Sequence, residues 1–194
     1  MNKALLVIDV QESFRRQENW AAVSDPDIAA RVDELVAHAR SEGDLVIWIL
    51  HAEPGSRTAF DPALGQVRLI DGLAAAEGEP VITKTSHNAF TTTNLQQLLT
   101  ERGIRELVIS GIRTEQCCET TTRLAADLGY GVTFVIDATA THPIEHRDAP
   151  AGRSLAEILA DPRTLSTDEI IARTEYALSV RFARIATVKE LTGS

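Results

Sequence analysis

Cys117 is the residue with the clearest potential for covalent chemistry. The apolar run 107–111 ends in glycine and indicates a buried strand, and apolar residues at helical spacing follow the thiol. A thiol in the first turn of a helix lies in the field of the helix N-terminus, which favours the nucleophilic thiolate. Ligands of open α/β sheets also bind at such strand ends. Considered alone, the segment is equally consistent with Cys117 being a small hydrophobic side chain of the core rather than a nucleophile.

Two charged residues stand at comparable positions. Asp9 follows the apolar run 4–8, and Lys84 ends the short run 80–83. Alone, Asp9 is better explained as a cap of a turn, and Lys84 as a solvated lysine that protects a sheet edge. However, Asp9, Lys84 and Cys117 all occupy C-terminal ends of predicted parallel strands, which lie on one side of such a sheet. They are therefore expected to lie close together.

The three side chains have complementary chemistry. A carboxylate with a raised pKa can take the proton of a cysteine, and a nearby ammonium favours the thiolate. Backbone N–H groups at the start of the cysteine helix can hold the oxyanion of a tetrahedral intermediate. Histidine is the commoner base for a cysteine, and four histidines could serve instead: His51, His87, His142 and His146.

Short apolar runs alternate with helical patterns along the chain, which predicts one α/β domain over residues 1–194 with a parallel, doubly wound sheet. Strands are predicted at 4–8, 45–50, 80–83, 107–110, 132–136 and 183–188. Helices are predicted at 27–41, 94–102, from the cysteine motif to 128, and at 167–180. The loop 52–78 and the segment 142–165 are predicted to be irregular.

Composition excludes several classes of function. The net charge of −9 disfavours nucleic acid and anionic membranes as partners. The only two cysteines are neighbours, which excludes a disulfide framework. We see no signal-peptide pattern and no apolar run of the ~20 residues that a membrane helix needs. A cytoplasmic protein with a small-molecule substrate is expected.

The chain resembles the isochorismatase-like cysteine hydrolase superfamily. The resemblance covers about residues 3–141 and depends on four segments: Asp9-Val10-Gln11 with Phe14, Lys84 with Ala89-Phe90, Gly111 through Cys117, and Gly129-Tyr130 with Asp137-Ala138. It implies a Rossmann-like, three-layer α/β/α fold with a six-stranded parallel sheet. It also implies an Asp9, Lys84 and Cys117 triad, with Cys117 rather than Cys118 as the nucleophile, and no cofactor.

The resemblance further implies a cis peptide between Ile112 and Arg113. That bond would turn the Arg113 N–H toward the oxyanion, beside the N–H of Cys117. Homodimers or homotetramers are usual in the superfamily. Its nicotinamidases carry a metal-binding Asp-x-His element that is missing around His51 and Glu53, so no metal is expected.

The retained Cys117 favours hydrolysis of a small amide, carbamoyl or ureide substrate through a thioester. Arg113 could bind a substrate carboxylate, unless it points to solvent or to a partner subunit. Phe14, His51 and Phe90 are further candidates for the substrate pocket. Two other functions stay open: an isochorismatase-type vinyl-ether hydrolase that does not need the cysteine, and a catalytically idle binding or scaffold protein. A flavodoxin-like or response-regulator fold fits the alternation but explains neither Lys84 nor the cysteine motif.

Overall fold

Six parallel strands form the central sheet of the computed structural model, which describes residues 2–193. The strands are β1 (Lys3–Ile8), β2 (Leu45–His51), β3 (Val81–Lys84), β4 (Glu106–Ile112), β5 (Gly131–Ala140) and β6 (Arg184–Ala186). Their order is β3-β2-β1-β4-β5-β6, and all neighbours are parallel. The predicted six-stranded parallel sheet is confirmed. Residues 1 and 194, the ends of the predicted domain, lie outside the described residues.

Helices cover both faces of the sheet, as predicted for a three-layer α/β/α fold. They are α1 (Glu12–Arg15), α2 (Ile28–Ser41), α3 (Leu95–Glu101), α4 (Glu119–Asp127), α5 (Leu155–Ala160), α6 (Thr167–Ser179) and α7 (Val188–Thr192). Apolar side chains of α3, α4 and α6 form one core cluster with the sheet, and those of α2 and α7 form the other. Over residues 2–193, no helix has the length and apolar character to cross a bilayer.

Strand β1 lies in the middle of the sheet and is buried on both faces. From Ala4 to Ile8 no residue is more than 2% exposed, as expected for a continuous apolar run in a parallel sheet. In register, Ile8 lies opposite Ile49 of β2 and Gly111 of β4. The next residue, Asp9, therefore leaves the sheet at the centre of its C-terminal edge.

The C-terminal part of the chain differs from the predicted elements. The segment 142–165, predicted to be irregular, contains α5, which begins with a capping box at Ser154. The sixth strand is shorter than predicted because Thr187 caps α7 in the same way, so Val188 is helical. Both caps follow the Ser/Thr-x-x-Glu pattern, in which each side chain accepts a backbone N–H at the helix start.

Gly111 is the point of closest approach between β4 and β1. Its φ is +134°, a conformation that residues with a side chain rarely adopt. A Cβ at this position would overlap the carbonyl oxygen of Ile8, the residue before Asp9. Glycine is therefore required for the two strands to lie side by side where Asp9 leaves the sheet.

We expect Gly111→Ala to lower the free energy of unfolding by more than ~3 kcal/mol, because backbone must move to relieve the overlap. Gly129→Ala is the matched control. Its φ is +89° and a Cβ would meet nothing within 4 Å. Only the ~1–2 kcal/mol cost of placing a residue with a side chain in a left-handed conformation is therefore expected. Urea unfolding followed by circular dichroism measures both variants. Equal losses would contradict the close approach of the strands.

Candidate active site

Four strand ends bring polar side chains together at the C-terminal edge of the sheet. Asp9 follows β1, His51 ends β2, Lys84 ends β3, and Cys117 lies in the turn after β4. The Lys84 side chain reaches from the edge strand to the centre of the sheet. Its Nζ lies 2.7 Å from Asp9 Oδ2, 3.4 Å from Cys117 Sγ and 3.3 Å from His51 Nδ1. The three residues of the predicted triad are thus neighbours around one ammonium group.

The ion pair between Asp9 and Lys84 is completely buried, with both side chains 0% exposed. Burial raises the pKa of Asp9, against the opposing effects of the Lys84 ammonium and the Cys117 thiol. In residues 2–193, the second carboxylate oxygen, Oδ1, is buried and meets no hydrogen-bond donor in suitable geometry. A buried carboxylate with a raised pKa beside a thiol is suited to take its proton.

The structure corrects the expected ionisation of Cys117. Burial, followed by the negative charge of Asp9, raises the pKa of the thiol to about 12, although the Lys84 ammonium acts in the opposite direction. The sequence suggested a thiolate because it showed a helix start and a nearby cation. It did not show that Cys117 is only 6% exposed and that the carboxylate adjoins it. Cys117 is therefore expected to rest as a thiol at neutral pH.

A single π-helical turn, Thr114–Cys118, carries the nucleophile into α4. The Arg113 carbonyl accepts hydrogen bonds from the N–H groups of Gln116 and Cys118, at 3.2 Å each. In a regular α-helix the Cys117 N–H would donate to this carbonyl. Within this described turn it does not, because the turn is wider. Cys118 is 0% exposed and packs in the core cluster, which agrees with the packing role predicted for it.

The peptide between Ile112 and Arg113 is cis. Beyond it, the Arg113 guanidinium is held inside the protein, with its side chain 17% exposed. Nη2 lies 2.9 Å from Glu115 Oε1 and donates to the His142 carbonyl at 3.3 Å, and Nε donates to the Thr141 hydroxyl at 3.4 Å. Arg113 therefore points neither to solvent nor freely into the pocket, since a carboxylate of the protein already binds it.

Gln11 is a supporting residue to which the sequence analysis assigned no role. Its side chain accepts from the His51 N–H at 2.7 Å and donates to the His51 carbonyl at 3.0 Å. The Gln11 side-chain amide thus forms the pair of hydrogen bonds with His51 that the backbone of a neighbouring strand would form. Only its place two residues after Asp9 could have suggested this role. It fixes His51 beside Lys84.

The pocket in front of Cys117 has a volume of ≈ 150 Å³. Its lining residues are Asp9, Phe14, Gln17, His51, Glu53, Phe60, His87, Arg113, Gln116 and Cys117. Of the predicted substrate-binding residues, Phe14, His51 and Arg113 are in this set. Phe90 is not, because it packs in the core with its ring 6.0 Å from that of Tyr130. Gln17 was not anticipated, since it lies in an irregular segment after α1.

The described residues include no group of three or more His, Cys, Asp or Glu side chains placed to hold a metal ion. His51 Nε2 lies 3.5 Å from Glu53 Oε1. These two residues were the only metal ligands that the sequence suggested, and two protein ligands make a poor site.

Comparison with known proteins identified a family and several named relatives. A family model for the isochorismatase domain matches residues 3–166. Streptothricin hydrolase of Streptomyces noursei is 35% identical over 144 residues, covering 73% of this chain and 56% of that protein. Ureidoacrylate amidohydrolase RutB of Klebsiella pneumoniae is 30% identical over 182 residues, covering 76% of this chain and 75% of RutB.

Two further relatives bear on fold and on activity. A protein of Arabidopsis thaliana named as a probable inactive nicotinamidase is 36% identical over 158 residues, covering 72% of this chain and 81% of that protein. The crystal structure of an isochorismatase from Pseudomonas putida matches with a TM-score of 0.83 and 28% identity, covering 97% of this chain and 89% of that one.

The raised thiol pKa predicts how Cys117 reacts with iodoacetamide. We expect labelling to rise about tenfold per pH unit, without a plateau near the ~8.5 of a free thiol. Asp9→Asn removes the charge that opposes ionisation and keeps an oxygen for Lys84, so labelling at pH 8 should become at least about tenfold faster. Peptide mass spectrometry measures both rates.

The buried Cys118 is the internal control in the same digest and should stay unlabelled while the protein is folded. Circular dichroism of Asp9→Asn checks its fold. A wild-type plateau below pH 8.5, or slower labelling of folded Asp9→Asn, would contradict the assignment of a resting thiol.

Proposed function

The chain belongs to the isochorismatase family of hydrolases, and we propose that it is a cysteine-dependent amidohydrolase. Its substrate is a small amide, carbamoyl or ureide compound, cleaved through a thioester at Cys117. The observation that carries this proposal is the contact of one buried ammonium, that of Lys84, with both a carboxylate and a thiol. The named activities of streptothricin hydrolase and ureidoacrylate amidohydrolase among the relatives support hydrolysis.

In the first half of the reaction, the Cys117 thiol transfers its proton to Asp9 as the sulfur attacks the substrate carbonyl. The C–S bond forms and the carbonyl π electrons move to oxygen. The N–H groups of Arg113 and Cys117 are the proposed donors to this oxyanion. When the intermediate collapses, the C–N bond breaks and Asp9 returns the proton to the departing nitrogen, which leaves as ammonia or an amine.

In the second half, water attacks the thioester carbonyl and gives a proton to Asp9. Collapse of the new tetrahedral intermediate breaks the C–S bond, releases the acid and restores the thiol through the proton held on Asp9. Each proton in this cycle passes between Cys117, Asp9, the substrate and water, so the proposed steps use no cofactor.

Lys84 keeps negative charge compensated throughout the cycle. Before attack the charge is on Asp9, 2.7 Å from Nζ, and during attack it passes through the sulfur, 3.4 Å from the same atom, to the substrate oxygen. The ammonium therefore contacts the charge in either position without moving far. Such preorganised stabilisation is effective because the Asp9 and Lys84 side chains are buried.

The expected partners, oligomeric state and location of the protein form part of this proposal. The small pocket fits a small-molecule substrate, and the net charge of −9 gives no reason to expect nucleic acid or a membrane as a partner. The homodimer or homotetramer and the cytoplasmic location stay predictions.

We expect Cys117→Ala to reduce amide turnover at least about a thousandfold, because the nucleophile is lost while the fold is kept. Ammonia release from a panel of small primary amides, carbamoylated amines and ureides measures turnover. Cys118→Ala is the matched control: it should keep activity near that of wild type and lose about 1 kcal/mol of stability through its buried packing.

The same experiment separates the other functions. Equal losses of activity in the two folded variants would overturn Cys117 as the nucleophile. Cleavage of a vinyl ether by both wild type and Cys117→Ala, with no amide turnover and loss only in Asp9→Asn, would favour the ether hydrolase. A wild-type protein that hydrolyses neither class would be the idle binding protein.

A further inference from the structure

The formal charges inside the candidate site are compensated in pairs. Lys84 is bound to Asp9 at 2.7 Å, and Arg113 is bound to Glu115 at 2.9 Å. The other carboxylate oxygen of Glu115 accepts from the Thr141 hydroxyl at 2.6 Å, so Glu115 is held in place. An anionic substrate that used Arg113 would have to compete with this fixed carboxylate. The pocket therefore offers no free cation to a substrate through either residue.

Glu53 differs from these pairs because its contacts are a hydroxyl and an imidazole rather than a lysine or an arginine. Its carboxylate lines the pocket, and its side chain is 47% exposed. Oε2 accepts from the Thr58 hydroxyl at 3.3 Å, and Oε1 lies 3.5 Å from His51 Nε2. Burial, followed by the charge of Lys84, lowers the pKa of His51 and favours its neutral form, against the opposing charges of Asp9 and Glu53. Among the lining residues, Glu53 is the carboxylate without a cationic partner.

The His51 ring connects Glu53 with the reacting groups. Nδ1 of the ring lies 3.3 Å from Lys84 Nζ, and Nε2 lies 3.5 Å from the Glu53 carboxylate. The carboxylate is thus one imidazole ring away from the ammonium that contacts the Cys117 sulfur. A short molecule with its carbonyl at the sulfur can place its other end beside Glu53.

We propose that the substrate is an amide or carbamoyl compound with a cationic group, such as an ammonium, a few bonds from the scissile carbonyl, and that Glu53 binds this group. This inference rests on the proposed function and replaces the expectation of a substrate carboxylate at Arg113. Glu53 is the specificity-determining residue. Glu115 is a positioning residue, because it compensates and holds Arg113.

The first test measures charge selectivity at Cys117 without any turnover. The probes are a cationic and an anionic methanethiosulfonate, with trimethylammonium-ethyl and sulfonato-ethyl groups, and peptide mass spectrometry follows Cys117. Both reagents react with the same thiolate, so the ratio of their rates does not depend on the thiol pKa. We expect Glu53→Gln to lower the cation-to-anion ratio about fivefold or more, as the loss of one nearby charge implies.

Glu42→Gln is the matched control, because it removes the same charge from an exposed position. Glu42 precedes β2 and so lies at the N-terminal ends of the strands, away from the pocket. It should leave the ratio close to that of wild type. An unchanged ratio in Glu53→Gln, or equal changes in the two variants, would overturn the role of Glu53.

The second test compares three amides of nearly equal shape: 4-aminobutanamide, pentanamide and succinamate, with ammonia release as the signal. We expect the cationic amide to have the highest kcat/KM, and Glu53→Gln to reduce that preference mainly through KM. Turnover with equal or anionic preference would overturn the charge inference and keep the amidohydrolase. A fivefold change in reagent ratio with no turnover of any amide would support Glu53 as a cation site and overturn the amidohydrolase.

Discussion

The buried ammonium of Lys84 is the interaction on which the rest of the site depends. A charge with no exposed surface costs several kcal/mol unless a counter-ion and hydrogen-bond acceptors surround it. Asp9, His51 and Cys117 supply these contacts, and each lies at the end of a different strand or in the turn after it. The strand order, the close approach at Gly111 and the reciprocal bonds of Gln11 all serve to bring those ends together.

The same burial decides the ionisation of the nucleophile. In a buried site next to a carboxylate, the neutral thiol is favoured over the thiolate, so Cys117 has a raised pKa. Burial raises the pKa of Asp9 as well, which strengthens this carboxylate as the proposed base for the thiol beside it. A reactive thiolate would be formed only as the sulfur attacks. This arrangement protects the resting cysteine from oxidation and alkylation.

Charge pairing also limits what the pocket can bind. Asp9 and Lys84 compensate one another, as do Arg113 and Glu115, which leaves Glu53 at the pocket as a carboxylate in contact with a hydroxyl and an imidazole. Sequence reasoning left Arg113 open as a residue that could bind a substrate carboxylate or point away from the pocket. Its pair with Glu115 supports the proposed cationic substrate instead, because selectivity follows the net field of a site rather than the charge of one residue.

The sequence by itself determined the parallel sheet, because continuous apolar runs such as β1 are typical of strands buried on both faces. It also placed Asp9, Lys84 and Cys117 at one edge, since each lies at or after the C-terminal end of a predicted strand. It could not predict the thiol pKa, the Glu115 partner of Arg113 or the burial of Phe90 against Tyr130. Those features depend on distances between residues far apart in the chain, and on exclusion of water by the packed core. A local sequence pattern contains no information about either, so these three features were decided only by the tertiary structure.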